Sequence, residues 1–196
     1  MTLDAYLQKV HKTHLIFDFD ETLVKLILPW DHWEDSIKDE LLALDKTIYE
    51  NYKKDKISLS DLMNQYILKF GTQAKDLVKR NAVDFETTSL QDVVPHNELI
   101  DFIKRAKQYT MFVWSSNTRP TVKKVLQKYR IWNTFKKVVT SLDVDLLKPN
   151  TEGFSQINKP TIPTNRYVVI GDSDRDKEAA KQLGIDFFLI DYFKPV

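Results

Sequence analysis

Residues 14–23 read HLIFDFDETL, in which a short apolar run ends in two aspartates that are separated by a single residue. The run from His14 to Phe17 has no polar alternation, which predicts a strand covered on both faces, as in a parallel sheet. Asp18, Asp20 and Thr22 follow at the carboxyl end of that strand, where open α/β sheets bind their ligands. We therefore expect the chemistry of this protein to be centred on Asp18 and Asp20.

Further apolar runs predict the rest of the sheet. They cover residues 111–114, 166–170 and 186–190, and a weaker candidate covers residues 135–140. Apolar residues with helical spacing lie between these runs. Strands that alternate with helices predict an α/β fold with a doubly wound, parallel, Rossmann-like sheet.

The segment of residues 24–94 interrupts this alternation, because we find no clear strand in it. One apolar stripe with helical spacing spans residues 37–52, a second begins after the N-cap candidate Ser58, and a third runs through residues 74–78. Residues 53–56 are predicted to form an exposed connection. We predict an all-helical cap at residues 24–94, inserted into a catalytic core of residues 1–23 and 95–196.

Composition and charge exclude several classes of function. The 196 residues include 29 Lys and Arg and 28 Asp and Glu, and a net charge of +1 without a basic stripe argues against nucleic-acid binding. The chain has no cysteine, so disulfides, cysteine-ligated zinc and thiol nucleophiles are excluded. The amino-terminal residues are polar, and the apolar runs are far shorter than the ~20 residues of a membrane span. We expect a cytoplasmic protein with no membrane partner.

Polar side chains follow the other predicted strands as well. They are Ser115, Ser116, Asn117, Lys148, Asp172 and Asp176. If the first strand is central in the sheet, these side chains meet Asp18 and Asp20 at one edge. Several carboxylates at one site repel each other unless a cation neutralises them, and oxygen ligands without cysteine select a hard cation, most simply Mg²⁺. A lysine and a hydroxyl beside that cation suit the oxygens of a phosphoryl group.

Four motifs of this sequence resemble those of haloacid dehalogenase (HAD) superfamily hydrolases, of the phosphatase kind with a helical C1 cap. The resemblance rests on D-x-D-x-T from Asp18 to Thr22, a strand ending in Ser116, Lys148 followed by proline, and G-D-x-x-x-D from Gly171 to Asp176. The motifs stand in the family's order, and the insertion follows the first motif. The resemblance therefore covers nearly the whole chain.

This resemblance implies a phosphatase that hydrolyses a small phosphorylated metabolite through an aspartyl-phosphate. Asp18 would be the nucleophile, Asp20 the general acid and base, and Thr22 a support for the loop and for Asp20. Lys148 would neutralise Asp18 and the transferred phosphoryl group. Ser116, with Asn117 beside it, would bind the phosphoryl oxygens.

The resemblance also implies a Mg²⁺ site and leaves alternatives open. Asp18, the backbone carbonyl of Asp20, Asp172 and Asp176 would be the metal ligands. Ser115 remains an alternative to Ser116 as the second-motif hydroxyl. A phosphomutase of the same superfamily, or a phospho-accepting signalling domain without turnover, would use a similar set of groups.

The start of the insertion is aromatic, and its role is open at this stage. Trp30, His32 and Trp33 lie close after the predicted nucleophile. They could face the substrate, or they could pack the cap on the core, which is the commoner fate of aromatic side chains. Arg80 is a further candidate for an anionic substrate, although a solvated surface position suits it better.

Overall fold

The structure is a computed structural model that describes residues 1–193 of the chain. Its helices and strands follow one another in this order: α1 (Leu3–Lys9), β1 (His14–Phe17), β2 (Val24–Ile27), α2 (Trp30–Leu44), α3 (Lys46–Asp55), α4 (Leu59–Phe70), α5 (Thr72–Ser89), β3 (Asp92–Pro95), α6 (Asn97–Arg105), β4 (Thr110–Trp114), α7 (Arg119–Lys128), β5 (Phe135–Val139), α8 (Glu152–Ser155), β6 (Tyr167–Gly171), α9 (Asp174–Leu183) and β7 (Asp186–Leu189).

The larger sheet is parallel and has β1 at its centre. Its strand order is β5-β4-β1-β6-β7, and all four pairings are parallel. Phe17 at the end of β1 lies level with Val113 on one side and Ile170 on the other. The predicted α/β class, the five strands and the central place of the first strand are therefore confirmed.

Both faces of this sheet are covered, which explains the apolar runs without alternation. Leu15 and Phe17 belong to the hydrophobic cluster on one face, whereas Ile16 between them belongs to the cluster on the other face. Helices α6 and α7 contribute to the first cluster, and α9 contributes Ala179 and Ala180 to the second. Successive strand residues point to opposite sides, so each side must be apolar.

Helices α2–α5, which we name the cap helices, have a hydrophobic core of their own. Ile37, Leu41, Leu62, Met63 and Tyr66 are fully buried in it. The prediction that residues 24–94 are mainly helical is correct. The expectation that they contain no strand is wrong, because β2 pairs antiparallel with β3 beneath the cap helices. The sequence does not predict this two-stranded sheet, because each strand is only four residues long and Lys25 interrupts the apolar residues of β2.

The apolar stripe of residues 37–52 also divides into two helices. Helix α2 ends at Leu44, and the side chain of Asp45 accepts hydrogen bonds from the N–H groups of Thr47 and Ile48 at the start of α3. A short acidic side chain at this point is a typical N-cap. Residues 53–55, predicted as a connection, belong to the last turn of α3, whereas Ser58 is the N-cap of α4 as predicted.

Within residues 1–193, none of the helices combines the length and the hydropathy of a membrane-spanning segment.

Candidate active site

A cavity of about 350 Å³ lies at the carboxyl edge of the larger sheet, beneath the cap helices. The structure brings most of the predicted site residues to its wall, namely Asp18, Asp20, Ser116, Asn117, Lys148 and Asp172. Asp176 is fully buried directly behind this wall. The meeting of these side chains follows from the strand order, since β1, β4 and β6 are neighbours and end at the same edge.

Lys148 is a buried cation that joins two carboxylates. Its Nζ lies 2.7 Å from Oδ1 of Asp18 and 2.5 Å from Oδ1 of Asp176, and it donates a third hydrogen bond of 3.0 Å to the carbonyl of Trp114. Burial by itself disfavours the charged lysine, but the two carboxylates outweigh it and raise the pKa of Lys148. Lys148 is therefore a fixed positive charge beside the predicted nucleophile.

Asp18, Asp172 and Asp176 form an acidic cluster. One carboxylate oxygen from each lies within 4.8 Å of the others, which is a spacing that a single metal ion can bridge. Burial, with repulsion from Asp176, raises the pKa of Asp18 to about 7, and the same two causes raise the pKa of Asp172. A hard divalent cation would relieve this repulsion, so the residues fit the predicted metal.

The members of the cluster differ in how they face the cavity. Asp18 and Asp172 line it, whereas Asp176 is fully buried. Asp176 uses Oδ1 for Lys148, and its Oδ2 accepts hydrogen bonds of 2.5 Å and 3.3 Å from the hydroxyl and the N–H of Ser173. Asp176 is thus tied to the first turn of α9 and to Lys148, and it holds the lysine in place.

Asp20 is held by the two-stranded sheet of β2 and β3 rather than by the larger sheet. Its Oδ1 accepts a 2.7 Å hydrogen bond from the N–H of Leu26 in β2 and a 3.1 Å bond from the N–H of Glu21. Burial raises the pKa of Asp20 to about 7, against the lowering effect of these two hydrogen bonds. A carboxyl group with a pKa near neutrality is suited to give and take a proton.

Thr22 contacts Asp172 of the acidic cluster. It is fully buried, and its hydroxyl lies 3.3 Å from Oδ1 of Asp172. The expectation that Thr22 supports the loop and orients Asp20 stays a prediction, and the structure adds a contact through which Thr22 orients Asp172 in the acidic cluster. The reason is the sheet order, because the loop after β1 lies directly beside the end of β6.

The loop after β4 distinguishes the two candidate serines. Ser115 is buried, and its hydroxyl donates to Oδ1 of Asn117 and accepts the N–H of the same residue, each at 3.0 Å. Ser116 lines the cavity, whereas Ser115 does not. The geometry therefore favours Ser116 as the hydroxyl that meets a ligand, and it gives Ser115 a role in shaping the loop.

Comparison with known proteins identifies the family. The sequence from residue 15 to residue 190 matches the family model of haloacid dehalogenase-like hydrolases. The chain belongs to this family. The resemblance of the sequence to HAD superfamily hydrolases is thereby confirmed, and the phosphatase kind and the C1 cap stay predictions. No protein with a curated function matches the sequence at a significant level.

Solved structures similar to this HAD-like hydrolase agree with the fold. The Bacillus subtilis HAD-hydrolase YfnB, solved with magnesium, has a TM-score of 0.57 and 17% identity over 95% of this chain and 90% of its own. A provisionally assigned phosphoglycolate phosphatase from Lactobacillus plantarum has a TM-score of 0.57 and 15% identity over 93% and 87%. The HAD family enzyme bt-2542 from Bacteroides thetaiotaomicron, in complex with magnesium and inorganic phosphate, has a TM-score of 0.54 and 20% identity over 94% and 96%.

Glu86 is a cavity residue of this HAD-like hydrolase that the sequence analysis missed. It lies on cap helix α5, is only 4% exposed, and accepts hydrogen bonds from Nδ2 of Asn117 at 3.2 Å and from the N–H and hydroxyl of Thr118 at 3.0 Å and 2.6 Å. Burial raises the pKa of Glu86, although these donors oppose the shift. The sequence does indicate that Glu86 is buried, because it follows Val78 and Ala82 at intervals of four residues on the same face of the helix. A carboxylate on a buried face needs hydrogen-bond partners.

The aromatic residues at the start of the cap both pack and line the cavity. The ring centroids of Trp30 and Trp33 are 6.0 Å apart, and both rings pack against Phe85. The two tryptophans also form part of the cavity wall. By contrast, His32 is exposed and Arg80 is exposed and paired with a glutamate at the surface, so neither belongs to the cavity of the hydrolase.

Proposed function

We propose that this HAD-like hydrolase is a Mg²⁺-dependent phosphatase that hydrolyses a small phosphate monoester through an aspartyl-phosphate. The observation that carries the proposal is the 2.7 Å contact between Lys148 and Asp18 in a cavity that also holds an acidic cluster. The cavity volume of about 350 Å³ is near the lower end of the ~300–1,000 Å³ typical of ligand pockets, which favours a small substrate.

The first half of the reaction makes the covalent intermediate. A carboxylate oxygen of Asp18 attacks phosphorus, the ester P–O bond breaks, and Asp20 gives its proton to the leaving alkoxide oxygen. Lys148 neutralises the charge that builds up on the phosphoryl oxygens, and the Ser116 hydroxyl donates to one of them. The pKa of about 7 for Asp20 supports its role as the acid.

The second half returns the enzyme to its starting state. Asp20, now a carboxylate, takes a proton from a water molecule, whose oxygen attacks phosphorus. The bond between phosphorus and the Asp18 oxygen breaks, and inorganic phosphate is released. The same carboxyl group therefore serves as acid and then as base, and its hydrogen bonds to the N–H groups of Leu26 and Glu21 keep it in place for both steps.

Mg²⁺ would be held by Asp18, Asp172 and the backbone carbonyl of Asp20, with Asp176 behind them. When bound, it supplies a positive charge that allows the Asp18 carboxylate to approach an anionic phosphoryl group. The complexes of YfnB with magnesium and of bt-2542 with magnesium and inorganic phosphate support this choice of metal.

The test is phosphate release from an aryl phosphate and a panel of small phosphate esters, with and without Mg²⁺. We expect Mg²⁺-dependent turnover that Asp18→Asn abolishes, whereas Asp84→Asn, at an exposed position of α5, keeps it. An enzyme that releases no phosphate from any ester, but whose Asp18 is labelled by a small phosphodonor, would instead be a phospho-accepting domain or a mutase.

A further inference from the structure

Arg175 is a cation of the cavity wall that the proposed chemistry does not use. It lies in α9 within the G-D-x-x-x-D motif, immediately before the buried Asp176, and it is partly buried. Its side chain lines the same cavity as Asp18 and Lys148. A second positive charge in a cavity that already has one for the phosphoryl group calls for a partner.

The only partner of the Arg175 side chain in the described part of the chain is a neutral one. Its Nη1 donates to the hydroxyl of Ser60, on the first turn of cap helix α4, over a rather long 3.3 Å. A guanidinium group has five N–H donors, so one such contact leaves most of them for a ligand. Since Arg175 belongs to the core and Ser60 to the cap, both sides of the cavity meet at this point.

The other five arginines differ from Arg175 in their partners or in their exposure. Arg130 and Arg166 form no ion pair within residues 1–193, but both are exposed, and Arg166 donates to the carbonyl of His11. Arg80, Arg105 and Arg119 each form an ion pair with a carboxylate, and all three lie outside the cavity. Within residues 1–193, no such ion pair is formed by Arg175. An arginine that keeps its charge without a carboxylate in a partly buried position is arranged to receive an anion from outside the protein.

The acidic residues nearest to the cavity have other partners. Asp18 is paired with Lys148, Asp20 accepts the N–H of Leu26, and Asp172 accepts the hydroxyl of Thr22. The Glu86 carboxylate accepts hydrogen bonds from Thr118 and Asn117, and Glu21 lies 3.2 Å from Lys25. These pairings leave the guanidinium of Arg175 as a site for an anionic group of the ligand.

We propose that Arg175, assisted by the Ser60 hydroxyl, binds a second anionic group of the substrate. The substrate is then a small phosphate monoester that also carries a carboxylate or a second phosphate, rather than a neutral polyol or sugar phosphate. This inference rests on the proposed phosphatase function. A planar guanidinium binds either anion through two parallel N–H donors, and the anion would connect the core to the cap across the cavity.

The test compares kcat/KM for esters that differ only in the second anion. Glycerate 3-phosphate and glycerol 3-phosphate form the carboxylate pair, and the bisphosphate and monophosphate of 1,3-propanediol form the phosphate pair. One charged hydrogen-bonded contact corresponds to about a 10- to 100-fold preference for the charged member. The pair with the larger ratio identifies the anion.

Two variants assign the preference to Arg175. Arg175→Met is expected to reduce the charged-to-neutral ratio to near one, and Ser60→Ala to reduce it to a smaller extent. The matched control is Arg80→Met, at a surface arginine of the cap, which should leave the ratio and the turnover as in the wild type.

The outcomes separate this inference from the function on which it rests. Equal kcat/KM values within both pairs in the wild type would overturn the role of Arg175, and that comparison needs no variant to fold. An Arg175→Met enzyme that loses the same factor on charged and neutral esters would also overturn it. Failure to release phosphate from any ester, the aryl phosphate included, would overturn the proposed function, and this inference with it.

Discussion

Replacing Lys148 by methionine is expected to abolish phosphate release and to destabilise the metal-free protein strongly. The substitution keeps a long side chain but removes the charge between Asp18 and Asp176, whose oxygens lie 2.7 Å and 2.5 Å from Nζ. Two buried carboxylates then face each other without a cation. Removing one partner of a buried ion pair costs about 3–5 kcal/mol, because the remaining charge stays uncompensated.

The size of the effect on melting follows from the length of the chain. With about 2.1 cal/mol/K of unfolding entropy per residue, a chain of 196 residues has about 0.4 kcal/mol/K in total. A loss of 3–5 kcal/mol therefore lowers Tm by about 7–12 °C. Calorimetry in the presence of a chelator measures this loss, and phosphate release with Mg²⁺ measures the activity.

Lys12 provides a matched control. It is also a buried lysine, with Nζ 2.8 Å from Asp186 and 2.8 Å from the carbonyl of Asn165, but it lies outside the cavity. Lys12→Met should lower Tm and leave turnover unchanged. The double variant Lys148→Met/Asp176→Asn should recover part of the lost stability without recovering activity, because it removes one of the two carboxylates that repel each other.

Two results for Lys148→Met would contradict these expectations. If Lys148→Met released phosphate at the wild-type rate, Lys148 would have no role in the transfer. If Lys148→Met lost less than about 1 kcal/mol of unfolding free energy, the Asp18 and Asp176 carboxylates would not repel each other as their 2.7 Å and 2.5 Å contacts to the same Nζ imply.

Four further substitutions test the site. Because burial raises the pKa of Asp20 to about 7, the contribution of this carboxyl group to stability is fully present below about pH 4 and is lost as the pH rises through about 7. The difference in the free energy of unfolding between the wild type and Asp20→Asn, measured in urea with a chelator present, should therefore change by up to about 4 kcal/mol over this range, while the pH dependence contributed by Asp18 and Asp172 remains. A difference between the two proteins that does not change with pH would contradict the raised pKa of Asp20. Ser116→Ala should lower kcat/KM about 10- to 100-fold, whereas Ser115→Ala should cost about 1 kcal/mol of stability and affect kcat/KM less; the reverse ranking would make Ser115 the phosphate ligand. Glu86→Gln turns an accepting oxygen into a donor that faces Thr118, so we expect about 1–3 kcal/mol of lost stability in urea unfolding and a lower kcat on every ester; unchanged kcat would restrict Glu86 to a structural role.

The parts of the fold that the sequence predicted are those with a strong local pattern. The strand before Asp18 is apolar without interruption, and its neighbours share that pattern, so the parallel sheet and its polar edge follow from the chain alone. The order of the motifs then predicted which side chains meet, and the structure brings Asp18, Lys148 and Asp172 to one cavity.

The parts that escaped depend on contacts between distant residues. The two-stranded sheet of β2 and β3 pairs residues that are about seventy positions apart, and neither strand is long enough to give a recognisable pattern by itself. Glu86 gains its role only when α5 lies against the start of α7, where Thr118 offers its N–H and hydroxyl. The guanidinium of Arg175 meets Ser60 across 115 residues of sequence. Such pairings are set by tertiary packing, which local periodicity does not encode.

The two-stranded sheet of β2 and β3 determines where the cap helices could be replaced in a chimaeric protein. Asp20 accepts a hydrogen bond from the N–H of Leu26, and Leu26 is paired with Val93 in β3, so the carboxyl group of Asp20 is held by segments on both sides of the insertion. The two-stranded sheet holds Asp20, whereas the cap helices contribute Trp30, Trp33, Ser60 and Glu86 to the cavity wall. A foreign set of helices grafted between residues 29 and 90 would leave the acid anchored, whereas a graft made at residues 23 and 96 would remove its support. We therefore predict that exchanging the cap helices changes the cavity wall and keeps Asp20 anchored, provided that β2 and β3 stay with the core.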